Sequence, residues 1–356
     1  MARVIVGMSG GVDSAVAAYL LKMAGHEVIG LTLRTWLSEN GKESRCCEIS
    51  DAQRTADRLG IPYYVLNAVS DFTEKVTKPF MESYVCGRTP NPCVGCNRSL
   101  KWDGMLSMAE MMQADYVATG HYASVVRLEN GRVTVKMADH AEKDQTYMLY
   151  RLTQEQLSRT IMPLGGLSKE EVRRIAAQAG LDIADKPDSQ EICFVTEGSY
   201  ADYIEENYEG EIPGEGHFVD EQGNVLGVHR GIIHYTVGQR KGLGIALGHP
   251  AYVKEINAQA NEVVLADESS LYHRTILCGE TNFLAIPGLK EGEAVSCLAK
   301  IRYQHPAAPA RLEGLAGGCV KLVFEQPVRA ATPGQSAVFY DDDSCVIGGG
   351  VILGAE

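Results

Sequence analysis

No stretch of this 356-residue sequence approaches the roughly 18 consecutive apolar residues that a helical bilayer crossing needs, which excludes a membrane-spanning helix. No signal-peptide core follows Met1-Ala2-Arg3 either, since the chain enters a strand-like run at once, so the expected location is the cytoplasm. Ten cysteines without a secretion signal then read as thiols, metal ligands or catalytic groups, not as a disulfide framework. An excess of positive charge is also missing: 33 basic against 46 acidic residues leave a net charge of −13, which argues against indiscriminate binding to polyanions. Low-complexity linkers and internal repeats are absent, and the length allows two or three domains of roughly 150 residues.

Acidic residues, abundant overall, vanish from three windows. Between Glu82 and Asp103 only Arg88, Arg98 and Lys101 carry full charge; Gly227 to Lys254 holds Arg230, Arg240 and Lys241; and between Glu293 and Glu313 lie Lys300, Arg302 and Arg311. Three basic windows in an acidic chain point to selective contact with phosphates.

The first half alternates in period. RVIVGM, HEVIGLTL, PYYVLNA and ADYVATG are strand-like, while Asp13 to Ala24 and Asp51 to Leu59 carry helical spacing. That alternation predicts a parallel sheet covered by helices on both faces. A hairpin around Glu129-Asn130-Gly131 is expected to decorate the sheet. Ser168 and Glu171 form a capping box opening a helix through Ala179, with Gly180 as its stop. Beyond about residue 205 glycine becomes frequent and helical periodicity disappears, and from about residue 273 short strands such as CVKLVFEQP and GQSAVFYDDD alternate with turns. The expected fold class is α/β: a parallel-sheet, Rossmann-like domain over residues 1–205, a small β-rich central domain over 206–272, and a C-terminal β-barrel over 273–356.

Gly7-Met8 leads into Ser9-Gly10-Gly11-Val12-Asp13-Ser14 at the first strand-to-helix turn, where backbone N–H groups and the helix dipole favour an anion. The glycines admit a close phosphate, Ser9 and Ser14 supply hydroxyls, and Asp13 is the candidate ligand for a divalent ion. Neither a Walker loop nor a G-x-G-x-x-G fingerprint is present. The hexapeptide resembles the pyrophosphatase loop of the ATP-pyrophosphatase family, which implies ATP and Mg²⁺ and cleavage at the α-phosphate. Leu33 after the second strand and Gly120 after the fourth should then line the adenine pocket.

Asn91-Pro92-Cys93-Val94-Gly95-Cys96-Asn97 lies in the first acid-free window just ahead of a helix-like stretch, which puts Cys96 near a helix N-terminus where a thiolate is favoured. Cys193, in Asp188-Ser189-Gln190-Glu191-Ile192-Cys193-Phe194, is a second candidate, and two such thiols make a workable sulfur-transfer pair. Cys46-Cys47 reads as an inert core pair. Tyr235, Arg240 and Lys241, among glycines, suit a loop against RNA.

SGGVDS, GRTPNP, TGHYA, KDQTYML and SQEICF in this order, followed by HRGIIHYTVGQRKGLGI and KIRYQ, resemble the tRNA-specific 2-thiouridylase family over nearly the whole chain. That resemblance implies adenylation of the wobble uridine 34 of Lys-, Glu- and Gln-type tRNAs and sulfur transfer to give 2-thiouridine. It implies Cys193 as persulfide carrier, Cys96 as the nucleophile that closes a disulfide with it, and a cysteine desulfurase or sulfur-relay protein and a reductant as partners. Asn91, Pro92 and Cys93 would touch the target base, and Lys143, Asp144, Gln145, Arg302 and Tyr303 the tRNA. Many members carry Asp where this chain has Cys93, so that carboxylate's role does not transfer. Cys93, Cys96 and Cys193 could instead hold a [4Fe–4S] cluster or zinc. Rival readings are an ATP-pyrophosphatase ligase acting on a small molecule and a metal-bearing RNA-binding scaffold without turnover.

Overall fold

The computed structural model describes residues 1–36, 48–184, 192–196 and 198–356. Cys46-Cys47 and the first part of the Asp188–Phe194 motif lie outside the described residues. In strand β1 (Arg3–Gly7) successive side chains point to opposite faces. Val4 and Val6 enter a cluster with Val16, Leu21, Val172 and Ala176, whereas Ile5 enters another with Phe72, Phe80, Trp102 and Met105. A strand apolar on both faces must be covered on both.

Its neighbours are β2 (Glu27–Arg34) and β4 (Tyr116–Ala118), and β3 (Tyr63–Asn67) lies beyond β2. A hairpin of β5 (Ala123–Arg127) and β6 (Val133–Met137) follows, then β7 (Thr160–Ile161). The sheet runs β3-β2-β1-β4-β7, parallel throughout. The helix Val12–Met23 connects β1 to β2, and Ile49–Leu59 precedes β3. The helix Lys169–Gln178 starts at the Ser168/Glu171 capping box, and Gly180, at φ +68°, takes the left-handed conformation that ends it.

The hairpin does not decorate this sheet. It forms its own two-stranded unit and leans on the C-terminal domain, where Thr134 donates to the Val346 carbonyl at 2.6 Å and Arg132 to the carbonyls of Leu284 and Phe283 at 2.7 and 2.8 Å. Its edges satisfy backbone groups of a distant element, which local sequence does not announce.

The central domain is a four-stranded sheet of β8 (Gly216–Val219), β9 (Val225–His229), β10 (Tyr252–Asn257) and β11 (Glu262–Ala266) in the order β10-β11-β8-β9. Then come β12 (Tyr272–Phe283), β13 (Ala294–Lys300), β14 (Ala308–Gly314), β15 (Val320–Arg329), β16 (Ser336–Tyr340) and β17 (Val346–Ala355). These close into a barrel, β12-β15-β14-β13-β16-β17, which removes open sheet edges. Among the described residues no helix is long and apolar enough to cross a membrane.

Candidate functional site

The sheet grows outward from β1 through β2 to β3 on one side and through β4 to β7 on the other, so a crevice opens past the carboxyl ends of β1 and β4. Two connections face each other there, Ser9–Gly11 and Thr119–Tyr122. The first is braced from within: the Ser9 N–H donates to the Ser14 hydroxyl at 3.2 Å, and that hydroxyl donates to the Gly11 carbonyl at 3.0 Å. Its exit from β1 is pinned by Thr32, which donates to the Met8 carbonyl at 2.6 Å. Gly10 sits at φ +79°, and a Cβ there would lie 2.6 Å from the Glu48 carbonyl oxygen, so glycine is required. The helix begins at Val12 with Gly11 as its cap, a residue with no side chain to bond the first N–H groups, and the positive end of its dipole lies toward the crevice.

Gly120 lets the second connection approach. A Cβ on it would lie 2.6 Å from both the carbonyl carbon of Asp13 and the nitrogen of Ser14. Leu33 is buried and packs over Gly104, where an added Cβ would come within 2.8 Å of its Cδ2. Asp13 is held from two sides: the Tyr122 hydroxyl donates to Oδ1 at 2.7 Å, and the Lys169 ammonium lies 2.8 and 2.9 Å from the two carboxylate oxygens.

From Tyr122 the connection continues toward the barrel. Gln145 Oε1 accepts from the Tyr122 N–H at 2.9 Å, and the Gln145 N–H donates to the Tyr122 carbonyl at 3.0 Å. The neighbouring Asp144 side chain is buried, accepting from the Thr146 hydroxyl at 2.8 Å and the Ala138 N–H at 3.2 Å. The carboxylate faces inward and holds the loop that carries Lys143 and Gln145. Burial pushes its pKa up against those hydrogen bonds and the Lys300 charge. The Tyr303 hydroxyl donates to the Asp144 carbonyl at 3.1 Å, and its phenol is shifted upward by burial, then by Asp144 and by the Cys93 thiol. Residues of the first and third acid-free windows both bond to the stretch 144–148, Asn97 to the Met148 carbonyl and Tyr303 to that of Asp144.

The cysteine segment departs from expectation in one respect. Its helix starts at Pro92, with the Asn91 side chain accepting from the Cys93 N–H at 3.2 Å. Cys93 therefore occupies the first turn and is exposed, whereas Cys96 ends that turn and is buried, so the dipole acts more strongly on Cys93. A π-helical stretch over Asn97–Trp102 follows. Asn97, also buried, donates to the Met148 carbonyl at 3.0 Å, which ties the segment to the Lys143–Met148 stretch.

Cys193 is half-buried. Its neighbour Phe194 anchors it, with ring centroids 5.6, 5.2 and 5.1 Å from Phe72, Phe80 and Tyr203. Cys193 and Cys96 border the same apolar cluster. Among the described residues no three His, Cys, Asp or Glu side chains come together to hold a metal ion, so Cys93, Cys96 and Cys193 form no ligand set here. Asp13, whose two oxygens face Lys169 and Tyr122, keeps 30% side-chain exposure beside the loop, the opening through which a Mg²⁺ carried on substrate phosphates would reach its carboxylate.

In the loop 235–242 the Tyr235 ring is buried edge-to-face against Phe218 at 5.2 Å, whereas Arg240 and Lys241 are exposed. Lys169 was not foreseen: the capping box fixed the helix start, but nothing in the spacing says that the first helical side chain turns toward Asp13.

Three family models cover the chain: a tRNA methyl transferase HUP domain over residues 2–197, a tRNA methyl transferase PRC-barrel domain over 201–267, and an aminomethyltransferase β-barrel domain over 273–352. The chain is 51% identical over 360 residues to the tRNA-specific 2-thiouridylase MnmA of Lachnoclostridium phytofermentans, covering 99% of this chain and 100% of that one. It is 52% identical over 358 residues to the protein of the same name from Acetivibrio thermocellus, covering 98% and 99% of the two chains. Among solved structures, the U34-tRNA thiolase NcsA from Methanococcus maripaludis with its [4Fe-4S] cluster matches with a TM-score of 0.36 and 20% identity, over 59% of this chain and 67% of that one.

Proposed function

The chain belongs to the tRNA-specific 2-thiouridylase family, and on that premise we propose that it adenylates the O2 oxygen of the wobble uridine 34 and replaces that oxygen with sulfur carried on Cys193. One observation carries the reading for this chain: hydrogen bonds through Tyr122 and Gln145 join the anion-ready loop at Asp13 to the stretch 144–148, to which both Tyr303 and the cysteine segment's Asn97 bond.

In this reading the phosphates of ATP lie on Ser9 to Ser14, with Gly7 and Met8 leading in and Leu33 and Gly120 beside the adenine. Uridine O2 attacks the α-phosphorus, forming the O–P bond as the bond to pyrophosphate breaks. When bound, Mg²⁺ on Asp13 offsets charge on the departing pyrophosphate. Lys143, Gln145, Arg302 and Tyr303 hold the RNA, and Asn91 to Cys93 face the target base, which must leave its stack to react. The terminal persulfide sulfur on Cys193 adds to C2 and AMP leaves with the former O2, giving a Cys193–S–S–C2 linkage. The Cys96 thiolate then attacks the Cys193 sulfur, the electron pair of that S–S bond stays on the C2 sulfur, and 2-thiouridine is released. A Cys96–Cys193 disulfide results, which an external dithiol reduces and a cysteine desulfurase or sulfur-relay protein reloads. Residues 1–205 supply the chemistry and part of the RNA surface, which residues 206–272 and 273–356 extend.

The family models' descriptions speak of methyl transfer, but a loop suited to pyrophosphate and a pair of thiols serve thiolation better. The proposal is tested by pyrophosphate release: ATP turnover should rise at least about tenfold on adding unmodified tRNA whose uridine 34 is present and not when it is replaced by cytidine. Equal stimulation by both RNAs would point to a different acceptor.

A further inference from the structure

Two cysteines three positions apart on one helical turn are neighbours on its surface, with Cβ atoms about 5–6 Å apart against the roughly 3.5–4.5 Å that a disulfide needs. Cys93 and Cys96 have that spacing in the turn Pro92–Cys96, yet their surroundings are opposite: Cys93 is exposed, whereas Cys96 is 8% exposed. In the proposed reaction Cys93 has only a place beside the target base, and the disulfide left at the end joins the buried Cys96 to the half-buried Cys193, both in or against the apolar cluster that holds Phe72 and Phe80. Thiol–disulfide exchange requires the attacking sulfur to reach a bonded one, so burial hinders a dithiol arriving from solvent. Cys93 is placed to make that attack from within the protein. Its turn runs without a break into Asn97–Trp102 and Asp103–Met111, with Asn97 and Asp103 at helical φ and ψ, so the thiol stands at the start of a long helical run, where a thiolate is favoured. The small closure required has room, since a Cβ on Gly95 would meet nothing within 4 Å.

We propose that Cys93 is a third catalytic thiol, which resolves the Cys96–Cys193 disulfide and carries the oxidation to the protein surface. The Cys93 thiolate attacks Cys96 Sγ, the Cys93–Cys96 bond forms as the Cys96–Cys193 bond breaks, and the electron pair leaves on Cys193 as a thiolate ready to be reloaded with sulfur. The external dithiol then attacks the exposed Cys93 sulfur and releases both thiols as its own disulfide closes. The inference rests on the thiolation reading above and adds a step after the product has left Cys193.

The position of the disulfide after one turnover tests this. Wild-type protein, Cys93→Ser and Cys93→Ala are loaded with persulfide by a cysteine desulfurase, freed of reductant and given ATP, Mg²⁺ and unmodified tRNA. After an acid quench the remaining thiols are alkylated, and disulfide-linked peptides and nucleosides are identified by mass spectrometry. Wild type is expected to carry Cys93–Cys96 as its predominant disulfide, with Cys193 alkylated, and the variants Cys96–Cys193. In a second reaction with excess tRNA, dithiol and sulfur source, the variants should slow at least about tenfold after their first equivalent of product, whatever the rate of that first turnover, while wild type continues. A role for Cys93 confined to structure or to the base would slow the first and later equivalents alike. Cys96–Cys193 as the predominant disulfide of wild type, or variants with no slowing after the first equivalent, overturns the relay and leaves the thiolation reading standing. If the variants form no product at all, the wild-type disulfide map decides. Wild-type protein that makes no thiolated nucleoside defeats both.

Discussion

His121 sits in the turn after β4 with its ring 5.6 Å from that of Trp102 and its Nδ1 2.8 Å from the Thr119 hydroxyl. Burial, reinforced by the Lys101 ammonium, pushes its pKa from 6.5 down to about 3. An unfolded chain takes up this proton near the ordinary value and the native protein refuses it. The stabilisation is therefore complete above pH 6.5 and is lost progressively as the pH falls toward 3. At about 1.4 kcal/mol per pH unit, acidification from pH 6.5 to 5 should remove roughly 2 kcal/mol from this group alone. Urea unfolding of wild type and His121→Asn at both pH values checks this: the variant should lose less stability on acidification, and an identical loss would place the titration elsewhere. At this scale the sequence is most legible where chemistry and backbone requirement coincide, as at Gly10. It is least legible where burial decides, as at Asp144, Tyr235 and Cys96, because enclosure comes from elements distant in the chain. Lys169 was hidden for the same reason, since its partner lies 156 residues away.

Elements with strong local signals are recovered and those without them are not. β1 and β2 are apolar runs, and the helix from Lys169 has a capping box and a glycine stop. β7 is two residues long and exists because β4 offers it a ladder, so no periodicity could reveal it. The helix that begins at Pro92 was placed late because proline and Asn91 look like loop residues, although proline is favoured in a first turn and asparagine as a cap. In the proposed reading, nucleotide binding depends on the contact between the two loops past β1 and β4. Gly120→Ala puts a methyl group 2.6 Å from the backbone of Asp13 and Ser14, and overpacking of this kind costs about 1–3 kcal/mol. Its expected effect is a lower melting temperature together with roughly tenfold or greater loss of ATP affinity by equilibrium dialysis, since the displaced atoms belong to the loop itself. Gly214→Ala, which meets nothing within 4 Å, should change neither. ATP affinity unaltered in Gly120→Ala would separate the two loops functionally.

Across the whole molecule, three folding units converge on the residues that lead into the Asn91 cap. The Thr89 N–H donates to the Pro333 carbonyl at 2.9 Å, Gln335 donates to the Thr89 carbonyl at 2.9 Å, and a Cβ on Gly87 would meet Ile256 at 2.9 Å. The barrel and the central sheet therefore hold the approach to Cys93 and Cys96, while Tyr303 meets the Lys143–Gln145 segment from the barrel side. This explains how a chain with a net charge of −13 can present a local surface to a polyanion: the acid-free windows are far apart in sequence, and two of them bond to the same stretch, 144–148. The succession of an α/β unit, a β-rich unit and a barrel was legible from texture, whereas the seam between them was not. The measurement that bears most directly on the central claim is nucleoside mass spectrometry of unmodified tRNA after anaerobic incubation with the protein, ATP, Mg²⁺ and a cysteine desulfurase with its substrate. The account predicts 2-thiouridine with wild-type protein and none with Cys193→Ser or Cys96→Ser. Thiolation that persists in both variants, or AMP and pyrophosphate without any thiolated nucleoside while sulfur delivery to Cys193 is verified, would contradict it.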